Sequence, residues 1–180
     1  MPEQLVHFGE QFLPTLPPGA EMLDLGCGPG RDMAWLENRE LRVVGADLSW
    51  GMLAQARTRA AGPLVQADMH ALPFATGHFA AVWCMAALLH LPKAAAPRAL
   101  AEMRRVLRPA GWLFLSIQEG SGEGWEQVAR FGPVERFFAR YSPLEAQALV
   151  QASGFAVIAW GQNTTPQRHW MQFLCRVEKG

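Results

Sequence analysis

The stretch MLDLGCGPGRD, residues 22–32, decides the fold of this chain. A short apolar run carries an acidic residue, three glycines follow at alternate positions, and a helix-like segment continues over residues 32–39. This pattern predicts a strand, a tight turn and the start of a helix. Glycine is needed where φ is positive or where a ligand lies against the backbone, and open α/β sheets bind ligands at the carboxyl ends of parallel strands. We therefore expect the turn to hold a cofactor.

The spacing of the glycines indicates the class of cofactor. In the dinucleotide fingerprint G-x-G-x-x-G two residues separate the second and third glycines, whereas only one separates Gly28 from Gly30. Asp24 lies inside the strand just before the turn, and an inward-facing carboxylate there suits a cationic ligand better than a pyrophosphate. Three glycines are also compatible with an ordinary tight turn, so the interpretation depends on the motifs that follow.

The pattern DLGCGPG resembles motif I of the class I S-adenosylmethionine-dependent methyltransferases. In that family the glycine turn wraps around the amino-acid end of the cofactor. Further segments resemble the family's later motifs in the expected order, and together the motifs cover residues 23–116. The resemblance implies that S-adenosyl-L-methionine is the cofactor. In motif I it implies cofactor contacts at Asp24, Gly26, Cys27, Gly28 and Gly30.

A second carboxylate follows the apolar run at 41–46. Asp47 comes about 20 residues after the glycine turn, which is the distance expected of a ribose-binding carboxylate. The same carboxylate could instead cap the helix that begins near Ser49. Residues 47–57 resemble the family's second motif. The resemblance implies that Leu48 lies against the adenine.

The segment ADMHALPF, residues 67–74, resembles the family's third motif. The resemblance implies that the side chain of Asp68 accepts a hydrogen bond from the adenine amino group and that the backbone N–H of Met69 meets a ring nitrogen. Surface loops commonly contain an aspartate, so the position of Asp68 after Asp47 is what supports this role. The chain departs from the family at Ala80, where an aspartate is frequent, and we expect that position to be structural.

The next predicted strand, Phe79–Met85, leads into residues 86–92, which in relatives border the methyl group. Met85 is accordingly predicted to contact the cofactor, and His90 to lie on the acceptor side. Of the five histidines, His90 is the best placed to transfer a proton. Many relatives keep a histidine there that only packs or forms a hydrogen bond, so a catalytic role and a structural role both stay open.

Residues 118–141 break the periodicity and combine glycines, aromatic residues and arginines. Methyltransferases of this kind place part of their substrate cover between the fifth strand and the next helix, so the resemblance implies a specificity segment here. Arg136 and Arg140 are four residues apart on an expected helix, and they could bind a carboxylate or phosphate or only meet Glu135 or solvent. The apolar part of an acceptor is expected to pack on Trp125, Phe131 or Tyr141.

The whole pattern predicts an α/β three-layer sandwich. Further strands are expected at 21–25 and 64–67, a leader helix at 4–13, helices at 97–107 and Pro143–Ala152, and a hairpin formed by 155–161 and 169–177. The resemblance implies a Rossmann-like sheet of seven mostly parallel strands, with the antiparallel C-terminal strand beside the fifth.

The length and the charge of the chain limit the classes of protein to which it can belong. The 180 residues suit a single domain over 1–180. Sixteen basic and sixteen acidic residues argue against nucleic acid or a membrane as a partner bound through a positive field. Four arginines near one helix predict a solvated face rather than an RNA groove, because cations near a helix C-terminus favour its dipole. They are Arg98, Arg104, Arg105 and Arg108.

The three cysteines are scattered, so neither a metal site nor a disulfide framework is expected, and a reducing cytoplasm fits. The N-terminus lacks a basic segment followed by an apolar one, and no apolar run approaches the length of a bilayer span. We expect a cytoplasmic, soluble and unprocessed protein.

The resemblance implies an S-adenosylmethionine-dependent methyltransferase that acts on a small or medium organic acceptor by in-line transfer. Orienting the acceptor and excluding water would supply much of the catalysis. One alternative is a cofactor-binding partner subunit without transfer activity, since only about 20 residues precede the glycine turn and the usual N-terminal lid is curtailed. Another is a dinucleotide oxidoreductase, against which the glycine spacing argues.

Overall fold

The structure, a computed structural model, describes residues 10, 12–128, 134–165 and 168–178. Within these ranges the α helices are α1 (Arg31–Glu37), α2 (Trp50–Ala56), α3 (Ala96–Val106) and α4 (Pro143–Ala152). The strands are β1 (Glu21–Leu25), β2 (Arg42–Asp47), β3 (Leu64–Gln66), β4 (Phe79–Met85), β5 (Leu107–Gln118), β6 (Glu123–Gln127), β7 (Glu135–Ala139), β8 (Phe155–Thr165) and β9 (Arg168–Val177).

Seven of these strands form one sheet in the order β3-β2-β1-β4-β5-β9-β8. The strands from β1 to β5 pair in parallel, whereas β9 runs antiparallel to both β5 and β8. This confirms the predicted Rossmann-like sheet with the last strand inserted beside the fifth. The strand order reverses between β1 and β4, and such a switch point is where open α/β sheets bind ligands.

The hydrophobic core lies in two layers, one on each face of the sheet. Successive residues of β4 show this division, since Val82 belongs to the layer under α3 while Trp83 belongs to the layer under α1. Trp83 stacks on Phe114 of β5 with ring centroids 3.9 Å apart. Strands buried on both faces read as nearly continuous apolar runs, as β4 does. Helices therefore cover both faces, as predicted.

The helix α4 begins and ends where the sequence predicts. The Oγ of Ser142 accepts from the Glu145 N–H at 3.3 Å, and the Glu145 carboxylate accepts from the Ser142 N–H at 2.7 Å. This reciprocal capping box satisfies two N–H groups that a helix start otherwise leaves unpaired. The hairpin that follows is longer than predicted, because β8 continues to Thr165 and β9 begins at Arg168.

The prediction of a helix around Arg136 and Arg140 is wrong. Residues 135–139 form β7, which pairs antiparallel with β6 in a separate two-stranded sheet that places Trp125 opposite Phe137. Aromatic residues favour strands, and burial along β6 alternates with the period of two of a strand. Arg130 and Phe131 lie outside the described residues, as does most of the predicted leader helix.

The four arginines in and just after α3 are not equivalent. Arg105 donates to the carbonyl oxygens of Leu72 and Phe74 at 2.8 Å each and pairs with Glu102, so it anchors the loop before β4 to the helix. Arg98, Arg104 and Arg108 are exposed, as predicted for a solvated face.

None of the helices in the described ranges is long and apolar enough to cross a membrane.

Candidate functional site

The glycine turn joins β1 to α1 at the carboxyl edge of the sheet. The N–H groups of Gly26 and Cys27 both donate to the carbonyl oxygen of Ala46, at 2.7 and 3.1 Å, which ties the turn to the end of β2. Gly26 has a φ of +73°, and a Cβ there would lie 2.2 Å from the Cβ of Ala87. The turn is therefore fixed between β2 and the segment that follows β4, and its first position accepts only glycine.

Positions 28 and 30 require glycine for different reasons. Gly30 precedes α1 with a φ of +77°, and a Cβ there would meet the backbone of Ala56 in α2 at 2.9 Å. Gly28 has a φ of +52°, but a Cβ there would meet nothing within 4 Å. Gly30 thus lets two helices approach, whereas Gly28 faces open space. A ligand can lie against the backbone at Gly28.

Asp47 ends β2 and holds the glycine turn. Its Oδ2 accepts from the N–H of Gly28 at 2.9 Å, and its Oδ1 accepts from the N–H of Ser49 at 2.8 Å. The cap of α2 is Ser49, whose Oγ accepts from the N–H of Met52 at 3.4 Å. Asp47 is therefore not the cap itself. A carboxylate has about four acceptor positions, so its two oxygens can accept further donors.

Asp24 is buried beneath the glycine turn, with 1% of its surface exposed. Its Oδ2 has no hydrogen-bond partner among the described residues. Burial raises the pKa of this carboxyl well above its usual range, and the nearby charge of Asp32 raises it further. Leaving a buried carboxylate oxygen without a hydrogen bond is unfavourable in free energy. The site therefore fits a ligand that brings a cationic donor, which is the property expected of the amino-acid end of the predicted cofactor.

Two sulfur-bearing residues predicted to contact the cofactor are buried at the same edge. Cys27 lies within the glycine turn, and burial raises the pKa of its thiol to about 12, with the charges of Asp24 and Asp47 adding to the effect. A thiol in this state is a packing group and not a nucleophile. Met85 ends β4, beside the switch point of the sheet, and is buried.

The residues predicted to surround the adenine follow β2 and β3. The N–H of Ala67 donates to the carbonyl oxygen of Asp47 at 3.1 Å, which brings the end of β3 beside Asp47. Asp68 is exposed, and its Oδ1 accepts from the backbone N–H of His70 at 2.9 Å, the main cause of its lowered pKa. Leu48 is 66% exposed and Met69 is half-buried. The sheet thus brings Leu48, Asp68 and Met69 to one edge.

His90 ends a short 3-10 turn, Leu88–His90, that follows β4. Its Nδ1 lies 2.8 Å from the carbonyl oxygen of Phe137, and because a carbonyl only accepts, Nδ1 carries the proton and Nε2 the lone pair. Burial lowers the pKa of the ring, and the charges of Arg136 and Arg168 lower it further. His90 is therefore neutral at pH 7. The structure gives it both a packing contact and a basic nitrogen.

The hairpin of β6 and β7 lies against the turn that carries His90. The N–H of Lys93 donates to Glu123 at 2.6 Å, and its Nζ lies 3.0 Å from Glu145. Trp125 is 69% exposed on the hairpin, whereas Tyr141, predicted to contact an acceptor, is buried in the core. One aromatic residue of the segment therefore faces outward and another supports the hairpin from below.

No sequence motif marked Arg168 or Gln118 as residues of the site. Arg168 begins β9, its Nη1 donates to the Oε1 of Gln118 at 3.2 Å, and its guanidinium lies 4.6 Å from the ring centroid of Phe138. Phe138 in turn meets His90 edge-on, with centroids 4.9 Å apart. Only the insertion of β9 beside β5 brings these residues together. No cluster of three or more potential metal ligands occurs in the described part of the chain.

Comparison with known proteins connects this geometry to a family. The methyltransferase domain family matches residues 22–111, half of the 180 residues. A malonyl-[acyl-carrier protein] O-methyltransferase from Erwinia pyrifoliae is 37% identical over 141 residues, which are 72% of this chain and 52% of that protein. The chain thus spans about half the length of this relative.

Solved structures share the fold at low sequence identity. An S-adenosylmethionine-dependent methyltransferase from Methanosarcina mazei superimposes with a TM-score of 0.80 at 18% identity, covering 89% of this chain and 93% of that one. The 1,6-didemethyltoxoflavin-N1-methyltransferase of Burkholderia thailandensis, solved with bound 1,6-didemethyltoxoflavin and S-adenosylhomocysteine, gives a TM-score of 0.74 at 23% identity. That comparison covers 98% of this chain and 75% of the other.

Proposed function

We propose, from the premise that this chain belongs to the class I S-adenosylmethionine-dependent methyltransferases, that it transfers a methyl group from S-adenosylmethionine to a small or medium organic acceptor. The observation that carries the proposal is the glycine turn held by Asp47, with the orphaned carboxylate of Asp24 beneath it. The ammonium group at the amino-acid end of the cofactor can donate to a buried acid whose Oδ2 lacks a donor, whereas a pyrophosphate has no such cationic donor.

Each part of the site has a distinct task in this proposal. Asp24 and the turn residues Gly26, Cys27, Gly28 and Gly30 hold the amino-acid end of the cofactor. Asp47 accepts from the ribose hydroxyls with the positions that Gly28 and Ser49 do not use. Met85 borders the methyl group. The adenine lies among Leu48, Asp68 and Met69.

The bound cofactor supplies an electrophilic methyl carbon attached to a sulfonium. Because this carbon needs little activation, the chain contributes mainly by positioning the acceptor in line and excluding water. The hairpin of β6 and β7 covers the side of the site on which the acceptor would bind. His90 offers a neutral Nε2 to an acceptor that must lose a proton, and its orientation is set by the Nδ1 hydrogen bond to Phe137.

The names of relatives support a small organic acceptor. One relative is named for methylating an oxygen of a malonyl group on acyl-carrier protein, and one structural neighbour was solved with a small heterocycle bound. Neither acceptor is assigned to this chain. Both are compatible with the segment 118–141, in which the exposed Trp125 packs against Phe137, the residue whose carbonyl oxygen is bonded to His90.

Two measurements test the proposal. Isothermal titration calorimetry compares S-adenosylhomocysteine with NADH, and we expect only the former to bind. Transfer of a labelled methyl group to a panel of small organic acceptors then tests the activity. Binding of NADH in place of S-adenosylhomocysteine would overturn the proposal. Binding without transfer to any member of the panel would favour the alternative of a non-catalytic cofactor-binding partner.

A further inference from the structure

The loop after β3 forms a tight turn around the carboxylate of Asp68. The N–H of Ala71 donates to the carbonyl oxygen of Asp68 at 3.0 Å, and the N–H of His70 donates to its Oδ1 at 2.9 Å. Aspartate side chains commonly bond to the backbone two residues further on in this way. Arg98 of α3 donates from Nε to the carbonyl oxygen of His70 at 3.2 Å. The turn is therefore held both by its own hydrogen bonds and by α3.

The imidazole of His70 makes a second hydrogen bond to the same carboxylate oxygen. Its Nδ1 lies 2.8 Å from Oδ1 of Asp68, and because an ionised carboxylate only accepts, Nδ1 carries a proton. Two donors from one residue thus occupy Oδ1. In the described part of the chain no group donates to Oδ2, and the side chain of Asp68 is 54% exposed. Oδ2 is therefore the oxygen left for a ligand, and His70 fixes its direction.

The other ring nitrogen of His70 has no polar partner. Nε2 is buried and forms no hydrogen bond with any described residue. A proton on Nε2 would be a buried donor without an acceptor, which is unfavourable, so this geometry favours a ring whose only nitrogen-bound proton is on Nδ1. A buried nitrogen also cannot reach a ligand bound at the exposed carboxylate. The polar groups of the ring therefore act on the site only through Asp68.

We propose that His70 is a positioning residue, which holds Asp68 so that Oδ2 accepts from the 6-amino group of the cofactor's adenine. His70 thereby sets the selectivity of the site for a 6-aminopurine. This inference rests on the proposed function, in which the adenine lies among Leu48, Asp68 and Met69. An unrestrained aspartate rotates about its side-chain bonds, and fixing it beforehand removes part of the conformational entropy cost of binding. The effect should act on the amino group and not on the rest of the ligand.

The test is calorimetric titration of the full chain with S-adenosylhomocysteine and with its analogue that has hydrogen in place of the 6-amino group. The ratio of the two Kd values isolates the amino contact, because damage elsewhere in the site weakens both ligands equally. We expect the unmodified chain to prefer S-adenosylhomocysteine by about 10- to 100-fold, as a charged hydrogen bond predicts. In Asp68→Ala the two ligands should bind nearly equally. In His70→Leu the preference should fall by about 2- to 10-fold, as the loss of one ordinary hydrogen bond predicts.

Two polar variants separate the hydrogen bond from the volume of the side chain. The amide nitrogen of asparagine is bonded to Cγ, as Nδ1 of histidine is, whereas the amide nitrogen of glutamine lies one bond further out, as Nε2 does. His70→Asn should therefore keep the preference for the amino group, and His70→Gln should lose as much of it as His70→Leu does. This pair also decides the inference if His70→Leu does not fold.

The matched control is His78→Leu. His78 also lies beside a carboxylate, with Nε2 3.6 Å from Oε2 of Glu21, but Glu21 is the first residue of β1 and belongs to the opposite edge of the sheet. The preference of this variant should equal that of the unmodified chain.

Several outcomes would overturn the inference. They are an undiminished preference in His70→Leu, the same preference in His70→Asn and His70→Gln, and an equal fall in His78→Leu. A preference that Asp68→Ala keeps would also overturn it, since His70 acts through Asp68. The proposed function fails separately, if S-adenosylhomocysteine does not bind the unmodified chain. A preference that is lost in Asp68→Ala, reduced in His70→Leu and His70→Gln, and kept in His70→Asn and His78→Leu supports both.

Discussion

The two sides of the candidate site are built differently. On the cofactor side, backbone groups dominate: the glycine turn, the carbonyl of Ala46 and the N–H of Gly28 are fixed by the ends of adjacent parallel strands. On the acceptor side, side chains from separate segments meet, as His90, Phe138 and Arg168 do. Backbone geometry suits an invariant ligand, whereas side chains can change with the acceptor. The division predicts which substitutions affect binding of the cofactor and which affect turnover.

The largest expected effect tests whether His90 belongs only to the acceptor side. If Nε2 acts as a base, His90→Ala lowers turnover by about 10²- to 10⁴-fold while the affinity for S-adenosylhomocysteine stays nearly unchanged. Steady-state kinetics and calorimetry on the same preparation measure the two quantities. Loss of cofactor affinity together with an equal loss of thermal stability would assign His90 a structural role and break the division.

The pH dependence of the same residue sharpens this test. The pKa of His90 lies below its ordinary 6.5 because the ring is buried, so the folded state favours the neutral form. The associated stability is present above pH 6.5 and is lost as the pH falls through the lower folded pKa. Turnover that needs neutral His90 should likewise be constant above pH 6.5 and fall only on the acid side. In His90→Ala, this fall in turnover at acid pH should disappear.

Asp47→Ala should have the next largest effect and on the cofactor side alone. A charged hydrogen bond left without its partner costs about 1.5–3 kcal/mol, which is about 10- to 100-fold in affinity. Calorimetry with S-adenosylhomocysteine measures it, with Asp47→Asn as the variant that keeps the shape without the charge. Unchanged affinity in the alanine variant would remove Asp47 from the site.

Two glycines offer a paired test of smaller size. Both Gly28→Ala and Gly30→Ala place a Cβ at positive φ, a strain of about 1–2 kcal/mol, but only the second also collides with Ala56. We expect Gly30→Ala to lower the free energy of unfolding more, and Gly28→Ala to lower cofactor affinity more. Denaturant titration and calorimetry provide the two readouts. The reverse pattern would mean that the open space at Gly28 does not receive the ligand.

The smallest effect on stability is expected for a substitution on the exposed surface of the β6–β7 hairpin. Trp125→Ala should change the free energy of unfolding by no more than about 0.5 kcal/mol, because the side chain is 69% exposed. The KM for a true acceptor should rise while the Kd of S-adenosylhomocysteine does not. A change in cofactor affinity here would show that the two sides are not independent.

The same division explains what the sequence could predict. The strands β1 and β4 have the predicted bounds, and the glycine turn and Asp47 lie where the motifs place them, because each depends on local pattern and on strand ends that parallel pairing brings together. The seven-stranded sheet with its last strand antiparallel beside the fifth also followed from the family resemblance. The roles of these residues stay predictions that the measurements above address.

The acceptor side depends on contacts between distant residues, and there local patterns were insufficient. Arg136 was misassigned to a helix because a spacing of four residues fits one, although the aromatic residues around it pair across a hairpin. The contact between Gln118 and Arg168 spans 50 residues and exists only because β9 enters the sheet beside β5. Tyr141 is predicted to pack against the acceptor, but its side chain is buried in the core beneath the hairpin.

The close approach of Gly26 to Ala87 has a consequence for how this enzyme class could diversify. With Gly26 in a left-handed conformation, any gain in size at this contact must come from position 87, at the base of the turn that carries His90. In the proposed arrangement, the side chain at 87 would therefore act as a spacer between the cofactor and the acceptor. Ala87→Val would push the two apart, and because a misplacement of about 1 Å can cost about 100-fold in rate, natural variation at 87 should be confined to the smallest residues. A substitution at position 87 would then change the distance over which the methyl group is transferred, while the residues that contact each ligand stayed the same.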